Sequence, residues 1–134
     1  PRPPHHKEVP PVKGIGMDLC EIARFERILE KGEGFLRRYF SAEEQAYVLG
    51  RGQSAAQSAA ALFAAKEAFL KAAGIGISGG VPLTDVAVRH EASGQPVYAL
   101  TGKALEQMQA MGAEKAWLSV SHEAGMAAAV CVIE

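Results

Sequence analysis

Lysine and glutamate residues in an alanine-rich segment are the first candidates for chemistry in this chain. Residues 59–76 hold Lys66, Glu67 and Lys71 among apolar side chains, and the spacing predicts a helix. Glu67 and Lys71 are four residues apart and share one helix face, whereas Lys66 points about 100° away around the axis. Such a pair is most often an exposed ion pair worth about 0.3–0.5 kcal/mol. The alternative is a carboxylate and an ammonium group arranged around a phosphate, and the segment by itself favours the ion pair.

A second carboxylate, Asp18, follows a short apolar segment. Residues 12–17 predict a strand that ends at this carboxylate, and the apolar spacing of residues 22–29 predicts a helix after it. An aspartate between a strand and a helix is most often a helix N-cap. It also suits a cation, because Mg²⁺ is usually held by one or two carboxylates with phosphate oxygens and water. Asp18 and Glu67 can form such a pair only if the fold brings them together.

Other polar residues and glycines have common structural roles. Ser41 and Glu44 form a capping box at a helix start, and we predict this local role for Glu44 rather than a catalytic one. Gly74 and Gly76 follow the alanine-rich helix, where glycines usually end a helix, and they are too few to make a phosphate loop. His122 ends a strand with alternating side chains, where a hydrogen-bonded histidine is the ordinary interpretation.

The remaining pattern identifies the elements that must position these residues. Helices are predicted near 22–32, from 41, over 55–73 and over 103–111, and strands over 12–17, 86–88, 97–100, 117–121 and 126–133. Strands and helices mix without regular β-α-β alternation, which predicts the α+β class. Residues 12–134 are predicted to form one domain. Residues 1–11 hold five of the seven prolines and are predicted to be a flexible leader.

Composition excludes several classes of function. The 134 residues are 49% hydrophobic and 22% charged with a formal net charge of -1, which is typical of a globular protein and gives no reason to expect nucleic acid or an anionic membrane as partner. No segment approaches the ~20 apolar residues of a membrane span, and no signal peptide is predicted. Cys20 and Cys131 lack disulfide-scaffold or metal-site spacing, which favours a reducing cytoplasm.

Four motifs in series resemble one known family. Gly-Ile-Gly-Met-Asp ends at Asp18, Phe-Ser-Ala-Glu-Glu ends at Glu44, the Lys-Glu-Ala-Phe-Leu-Lys-Ala-Ala-Gly-Ile-Gly segment ends at Gly76, and Ser-Val-Ser-His ends at His122. Each motif is weak alone. In this order and spacing they resemble the holo-[acyl-carrier-protein] synthase family of 4'-phosphopantetheinyl transferases, over nearly the whole chain.

The resemblance implies a function and a set of site residues. The implied reaction moves 4'-phosphopantetheine from coenzyme A to a serine of an apo acyl carrier protein and releases 3',5'-ADP with the help of Mg²⁺. It implies a mostly antiparallel sheet packed on the alanine-rich helix, and a homotrimer with sites between subunits. The implied roles are metal binding by Asp18 and Glu67, catalysis by Glu67 and Lys71, coenzyme A binding by Lys66, Lys71, Gly74, Gly76 and His122, and carrier docking by Arg24.

The sequence leaves open the role of Lys71 and the identity of the general base. A lysine among phosphate charges should remain protonated, so we expect Lys71 to act electrostatically. The base that deprotonates the carrier serine is either Glu67 or a metal-bound water. Neither the carrier nor its pathway, such as fatty acid biosynthesis, is specified.

The sequence also departs from the family pattern. Leu62 replaces a common Arg, Ile75 replaces a common Thr, and Gln95 replaces a common Lys. The first two support an alternative function, a non-catalytic coenzyme A-binding or assembly module. The retained acids and lysines argue against that alternative.

Overall fold

A computed structural model of the chain describes residues 11–76 and 79–134, so the predicted leader lies almost entirely outside the described residues. The strands are β1 (Gly14–Glu21), β2 (Val86–His90), β3 (Pro96–Leu100), β4 (Ala116–Glu123) and β5 (Met126–Ile133). The helices are α1 (Ile22–Glu30), α2 (Gly34–Tyr39), α3 (Ala42–Leu49), α4 (Ala55–Ala72) and α5 (Gly102–Ala110). Single 3-10 turns cover Gly52–Ser54 and Leu83–Asp85.

Two antiparallel sheets pack around α4. β1, β5 and β4 form a three-stranded sheet in that order, and β2 pairs with β3 in a hairpin. The centre of α4 is buried because small alanine side chains let neighbouring elements approach closely, as at Ala59, Ala60, Ala64, Ala65 and Ala68. The predicted α+β class, with an antiparallel sheet on a long alanine-rich helix, is confirmed. None of the helices in the described ranges is long and apolar enough to cross a bilayer.

Two glycines set the distance between β1 and α4. A Cβ added at Gly14 would overlap the carbonyl oxygen of Ala72, and one added at Gly16 would overlap that of Ala68. Alternate residues of a strand face the same side, so Asp18 follows these glycines on the face toward α4. The close approach therefore brings the Asp18 carboxylate to the helix. This role of the Gly-Ile-Gly segment is not apparent from the sequence.

The glycine contact leads to a stability prediction. We expect Gly16→Ala to lower the free energy of unfolding by about 1–3 kcal/mol, because the methyl group must push β1 away from α4. Chemical denaturation of the purified protein measures this value. Gly34→Ala is the matched control, since a Cβ there meets no atom within 4 Å and alanine favours the helix. Equal stability of the two variants would contradict the proposed close approach.

The structure corrects two predictions near the N-terminus. Asp18 lies inside β1 rather than at its end, and the residue preceding α1 is Glu21, whose side chain makes no capping hydrogen bond. The N-cap interpretation of Asp18 is therefore wrong. The reason is that β5 pairs with β1 over its full length, up to Glu21 opposite Met126. The short helix α2 was also not predicted.

Candidate active site

β1 and α4 bring the predicted metal and phosphate residues together. The Lys71 Nζ donates to Asp18 Oδ1 at 3.0 Å and to the Met17 carbonyl at 3.1 Å. The Lys71 side chain is 57% exposed and that of Asp18 is 18% exposed, so the ion pair is open to solvent on the lysine side. An exposed pair contributes little to stability. The Lys71 ammonium can therefore exchange the Asp18 carboxylate for another anion at small cost.

Glu67 lies one helical turn before Lys71 and is electrostatically coupled to the same group. Burial raises the pKa of the Glu67 carboxyl and the Asp18 charge raises it further, whereas Lys71 and Arg24 act in the opposite direction. A cation near both carboxylates would be stabilised by the negative charge that raises the pKa of Glu67. The site thus brings two carboxylates, Asp18 and Glu67, close to two cationic side chains, Lys71 and Arg24.

The donor set fits Mg²⁺ better than a metal held wholly by protein. Within residues 11–76 and 79–134, no group of three or more His, Cys, Asp or Glu side chains is arranged to hold a metal ion. Mg²⁺ characteristically takes one or two carboxylates and completes its octahedron with water and substrate phosphates. Asp18 and Glu67 are acids of this kind, and their site opens to solvent.

Glu67 lines a cleft of about 420 Å³. Its walls combine apolar and cationic side chains, namely Arg24, Phe35, Arg38, Tyr39, Phe63, Leu70, Val81, Pro82 and Leu83. The Arg24 guanidinium lies 5.3 Å from the centre of the Phe63 ring, which holds it at the cleft wall through a cation–π contact. Arg38 was not singled out from the sequence. The structure adds it to the cleft.

The structure does not place Lys66 at this site. Its side chain is fully buried, and its Nζ donates to Glu44 Oε1 at 2.7 Å, to the Leu83 carbonyl at 2.9 Å and to the Val86 carbonyl at 3.1 Å. Burial lowers the pKa of the Lys66 ammonium, and the charge and hydrogen bond of Glu44 counteract this effect. All three ammonium protons are used within the chain. The expectation that Lys66 contacts a phosphate is corrected accordingly.

Glu44 has the predicted capping role and a further one. Its Oε1 accepts from the Ser41 amide at 2.8 Å while the Ser41 hydroxyl accepts from the Glu44 amide, which confirms the capping box. The same carboxylate is 1% exposed, pairs with Lys66 and accepts from the Val88 amide at 2.9 Å. Ordinary capping carboxylates are exposed, so burial is the unexpected feature.

Gly74 and Gly76 follow the end of α4, the helix that carries Glu67 and Lys71. The Gly74 amide donates to the Lys71 carbonyl at 3.1 Å, and Gly74 adopts φ 69°, as a glycine after a helix end commonly does. Gly74 and Gly76 are both exposed, and a Cβ at either would meet no atom within 4 Å. The helix-ending role is confirmed for Gly74, and contact of Gly74 and Gly76 with coenzyme A stays a prediction.

His122 lies in a different cleft of the same chain. It is exposed on β4 and lines a space of about 180 Å³ with, among others, Arg51, Leu62 and His90. None of the residues lining this second cleft also lines the cleft at Glu67. Within one chain, therefore, His122 and Glu67 line separate clefts. Leu62, one of the departures from the family pattern, lies in this second cleft.

Comparisons with known proteins agree with this fold and identify the family. A family model described as the 4'-phosphopantetheinyl transferase superfamily matches residues 14–131. The holo-[acyl-carrier-protein] synthase of Trichlorobacter lovleyi is 44% identical over 124 residues, which cover 92% of this chain and 98% of that protein. The crystal structure of holo-[acyl-carrier-protein] synthase from Neisseria meningitidis matches with a TM-score of 0.81 and 34% identity, covering 92% and 98% of the two chains.

A ligand-bound structure is also similar. The Helicobacter pylori holo-[acyl-carrier-protein] synthase in complex with coenzyme A matches with a TM-score of 0.77 and 30% identity, covering 90% of this chain and 99% of that one. The chain belongs to the 4'-phosphopantetheinyl transferase superfamily, and within it to the holo-[acyl-carrier-protein] synthase family. The predicted family and enzyme class are confirmed.

Proposed function

We propose that this chain transfers the 4'-phosphopantetheine group of coenzyme A to a serine of an apo acyl carrier protein, with release of 3',5'-ADP and dependence on Mg²⁺. The observation that carries the proposal is the proximity of Asp18 and Lys71 to Glu67, which lines an apolar and cationic cleft. Carboxylates for a hard cation, an ammonium group for phosphate and an open cleft are the parts that phosphoryl transfer needs.

Each residue has a separate task in this proposal. Asp18 and Glu67 would hold Mg²⁺, which neutralises the diphosphate charge when bound. The Lys71 ammonium leaves Asp18 and contacts a phosphate oxygen, which stabilises the charge on the leaving group. The carrier serine oxygen forms a bond to the phosphorus next to pantetheine, and the bond to 3',5'-ADP breaks. The serine proton passes to Glu67 or to a water molecule at the site.

The uncovered face of the main sheet supports the proposed homotrimer. Ile15, Met17 and Leu19 point away from α4 and are 67%, 53% and 60% exposed. Their neighbours across the sheet include Val132 beside Ile15 and Val130 beside Met17. A contiguous apolar face of this kind usually marks a protein contact. A second copy of the chain is the occupant we propose.

Assembly through this face also bears on His122. This residue lines a shallow groove together with Leu19, so it lies beside the uncovered face as well as in the second cleft. Subunits that meet there would bring the His122 cleft of one copy close to its neighbour. We expect sedimentation equilibrium to give the mass of three chains. A monomeric mass at micromolar concentration would contradict the proposal.

Carrier docking is predicted to depend on Arg24. Its exposed guanidinium lies at the cleft wall on α1, so it can bind a carboxylate of an acidic carrier next to the bound diphosphate. We expect Arg24→Glu to raise the carrier KM about 10-fold, with a much smaller effect on the coenzyme A KM. The carrier KM of the unmodified protein should rise with salt, because salt shortens the Debye length to ~8 Å at physiological strength.

Arg27→Glu is the matched control for this experiment. Arg27 lies on the same helix and is exposed, and it does not line the cleft at Glu67. The control should leave both KM values close to those of the unmodified protein. If Arg24→Glu changed the KM values for the carrier and for coenzyme A equally, the docking role of Arg24 would be contradicted.

The two cysteines support a proposal for the cellular compartment. Cys20 and Cys131 are both free and buried. Free thiols are typical of a reducing compartment, and we propose a cytoplasmic enzyme on this ground.

One experiment distinguishes the transferase from a non-catalytic coenzyme A-binding module. Coenzyme A is titrated into the protein by calorimetry with and without Mg²⁺, and an apo acyl carrier protein is then added. The transferase should bind coenzyme A more tightly with Mg²⁺ and should release 3',5'-ADP when the carrier is added. Binding without release with several apo carriers would favour the module, which the replacement residue Leu62 in the second cleft also favours.

A further inference from the structure

The residue next to Glu67 on α4 makes contacts that the proposed chemistry does not use. Lys66 and Glu44 are a fully buried ion pair, and the three partners of Lys66 come from three places in the fold: α3, the Leu83–Asp85 turn and β2. The Lys66 Nζ also lies 5.2 Å from the centre of the Phe40 ring. Burying two charges is expensive even when they are paired, and the pair is weak evidence for stability. The pair is better explained by the parts of the fold that it connects.

One partner of Lys66 belongs to the wall of the cleft at Glu67. The Leu83 carbonyl accepts from Lys66, and the Leu83 side chain lines the cleft with Val81 and Pro82. This wall segment (residues 81–83) precedes β2 and has no strand partner. The hydrogen bond from Lys66 to Leu83 therefore joins this wall segment to α4, the helix that carries Glu67 and Lys71.

Asp85, which follows the wall segment in the chain, is held by other hydrogen bonds. The Asp85 amide donates to the Pro82 carbonyl at 3.0 Å, and the Asp85 carbonyl and carboxylate accept from the Thr101 and Lys103 amides. These bonds tie the turn to the start of α5. Lys66 supplies the tie on the α4 side, and Glu44 fixes Lys66 through bonds that also reach the Val88 amide of β2. The pair thus determines where the wall lies relative to Glu67.

We propose that Lys66 and Glu44 are positioning residues that set the width of the cleft by holding residues 81–83 against α4, so that they control coenzyme A binding without touching it. The inference depends on the proposed function, since it names the substrate of that cleft. Helical geometry explains the arrangement. Lys66 and Glu67 are adjacent and differ by about 100° around the axis, so one points to the wall's backbone and the other to the metal site.

The test must distinguish positioning from a general loss of stability. Lys66→Met alone leaves the Glu44 carboxylate buried without its partner and can prevent folding. The double variant Glu44→Gln/Lys66→Met removes both charges, and glutamine is compatible with the capping box. Met108→Ala is the matched control. Met108 is buried on α5 away from the cleft, so its truncation lowers stability and leaves the wall in place.

We expect the double variant to raise the coenzyme A KM about 10-fold or more while the carrier KM stays unchanged, because supporting residues typically have effects of this size. The Met108→Ala control should lower the melting temperature and leave both KM values unchanged. A double variant that loses only stability, with the coenzyme A KM of the unmodified protein, would overturn the inference.

Hydrogen exchange provides a readout that does not depend on activity. Amides of residues 83–88 should exchange faster in the double variant than in Met108→Ala at equal stability, since only the double variant releases the wall. Unchanged exchange there would also overturn the inference. An unmodified protein that transfers nothing to a carrier would instead contradict the proposed function, while the exchange experiment still tests the wall.

Discussion

Replacing Glu67 with glutamine is expected to reduce the rate of phosphopantetheine transfer by about 10³-fold, because one of the two carboxylates that we propose as Mg²⁺ ligands is lost. The fold should survive. Burial and Asp18 raise the pKa of Glu67, so the charge of this group is disfavoured in the folded protein and its removal costs little stability. The measurement is the initial rate of carrier modification at saturating substrates, together with the melting temperature.

The same experiment should be repeated with Asp18→Asn and with a control on a distant helix. Asp18→Asn should also remove most activity, whereas Glu106→Gln on α5 removes an exposed carboxylate and should change nothing. An approximately normal Mg²⁺-dependent rate for Glu67→Gln would refute its assignment as a metal ligand.

Lys71→Met is expected to lower kcat by about 10²–10³-fold, because a positioned donor to a developing negative charge is removed. Mg²⁺ binding should be retained, since Lys71 holds the Asp18 carboxylate at 3.0 Å and competes with a cation for it. The pH dependence of the residual rate should keep its shape, because an electrostatic contact adds no ionisation to the profile. Rate profiles and Mg²⁺ titrations measure both properties.

Lys103→Met is the matched control for Lys71, because Lys103 is exposed at the start of α5. It should have the activity of the unmodified protein. Disappearance of one limb of the pH profile in Lys71→Met alone would show instead that Lys71 carries a proton during the reaction.

Local sequence signals predicted the elements that depend on local interactions. The long helix was predicted over 55–73 and is observed over Ala55–Ala72, because alanine propensity and the glycine at position 74 both act within the helix itself. The capping box at Ser41 was predicted for the same reason. The position of Asp18 was not predicted correctly, because the length of β1 is set by β5, over 100 residues further along the chain.

The candidate site shows the same limit. Spacing placed Glu67 and Lys71 on one face and Lys66 on another, but it did not indicate which face is buried. The burial of Lys66 requires Glu44, 22 residues earlier, and carbonyl groups 17 and 20 residues later. No sequence signal indicated this pair, because a capping glutamate is ordinarily exposed and the capping box accounts for Glu44 without a distant lysine. The motifs identified the family, whereas the contacts that shape the cleft arise from tertiary structure.

The intact mass of an apo acyl carrier protein tests the central claim most directly. The carrier is incubated with coenzyme A, Mg²⁺ and this protein, and its mass is measured before and after. We expect the carrier to gain the mass of one phosphopantetheine group. This gain should disappear when the acceptor serine is replaced by alanine or when Glu67→Gln replaces the unmodified protein. An unchanged carrier mass, in a sample where calorimetry shows that the protein binds coenzyme A, would contradict the account.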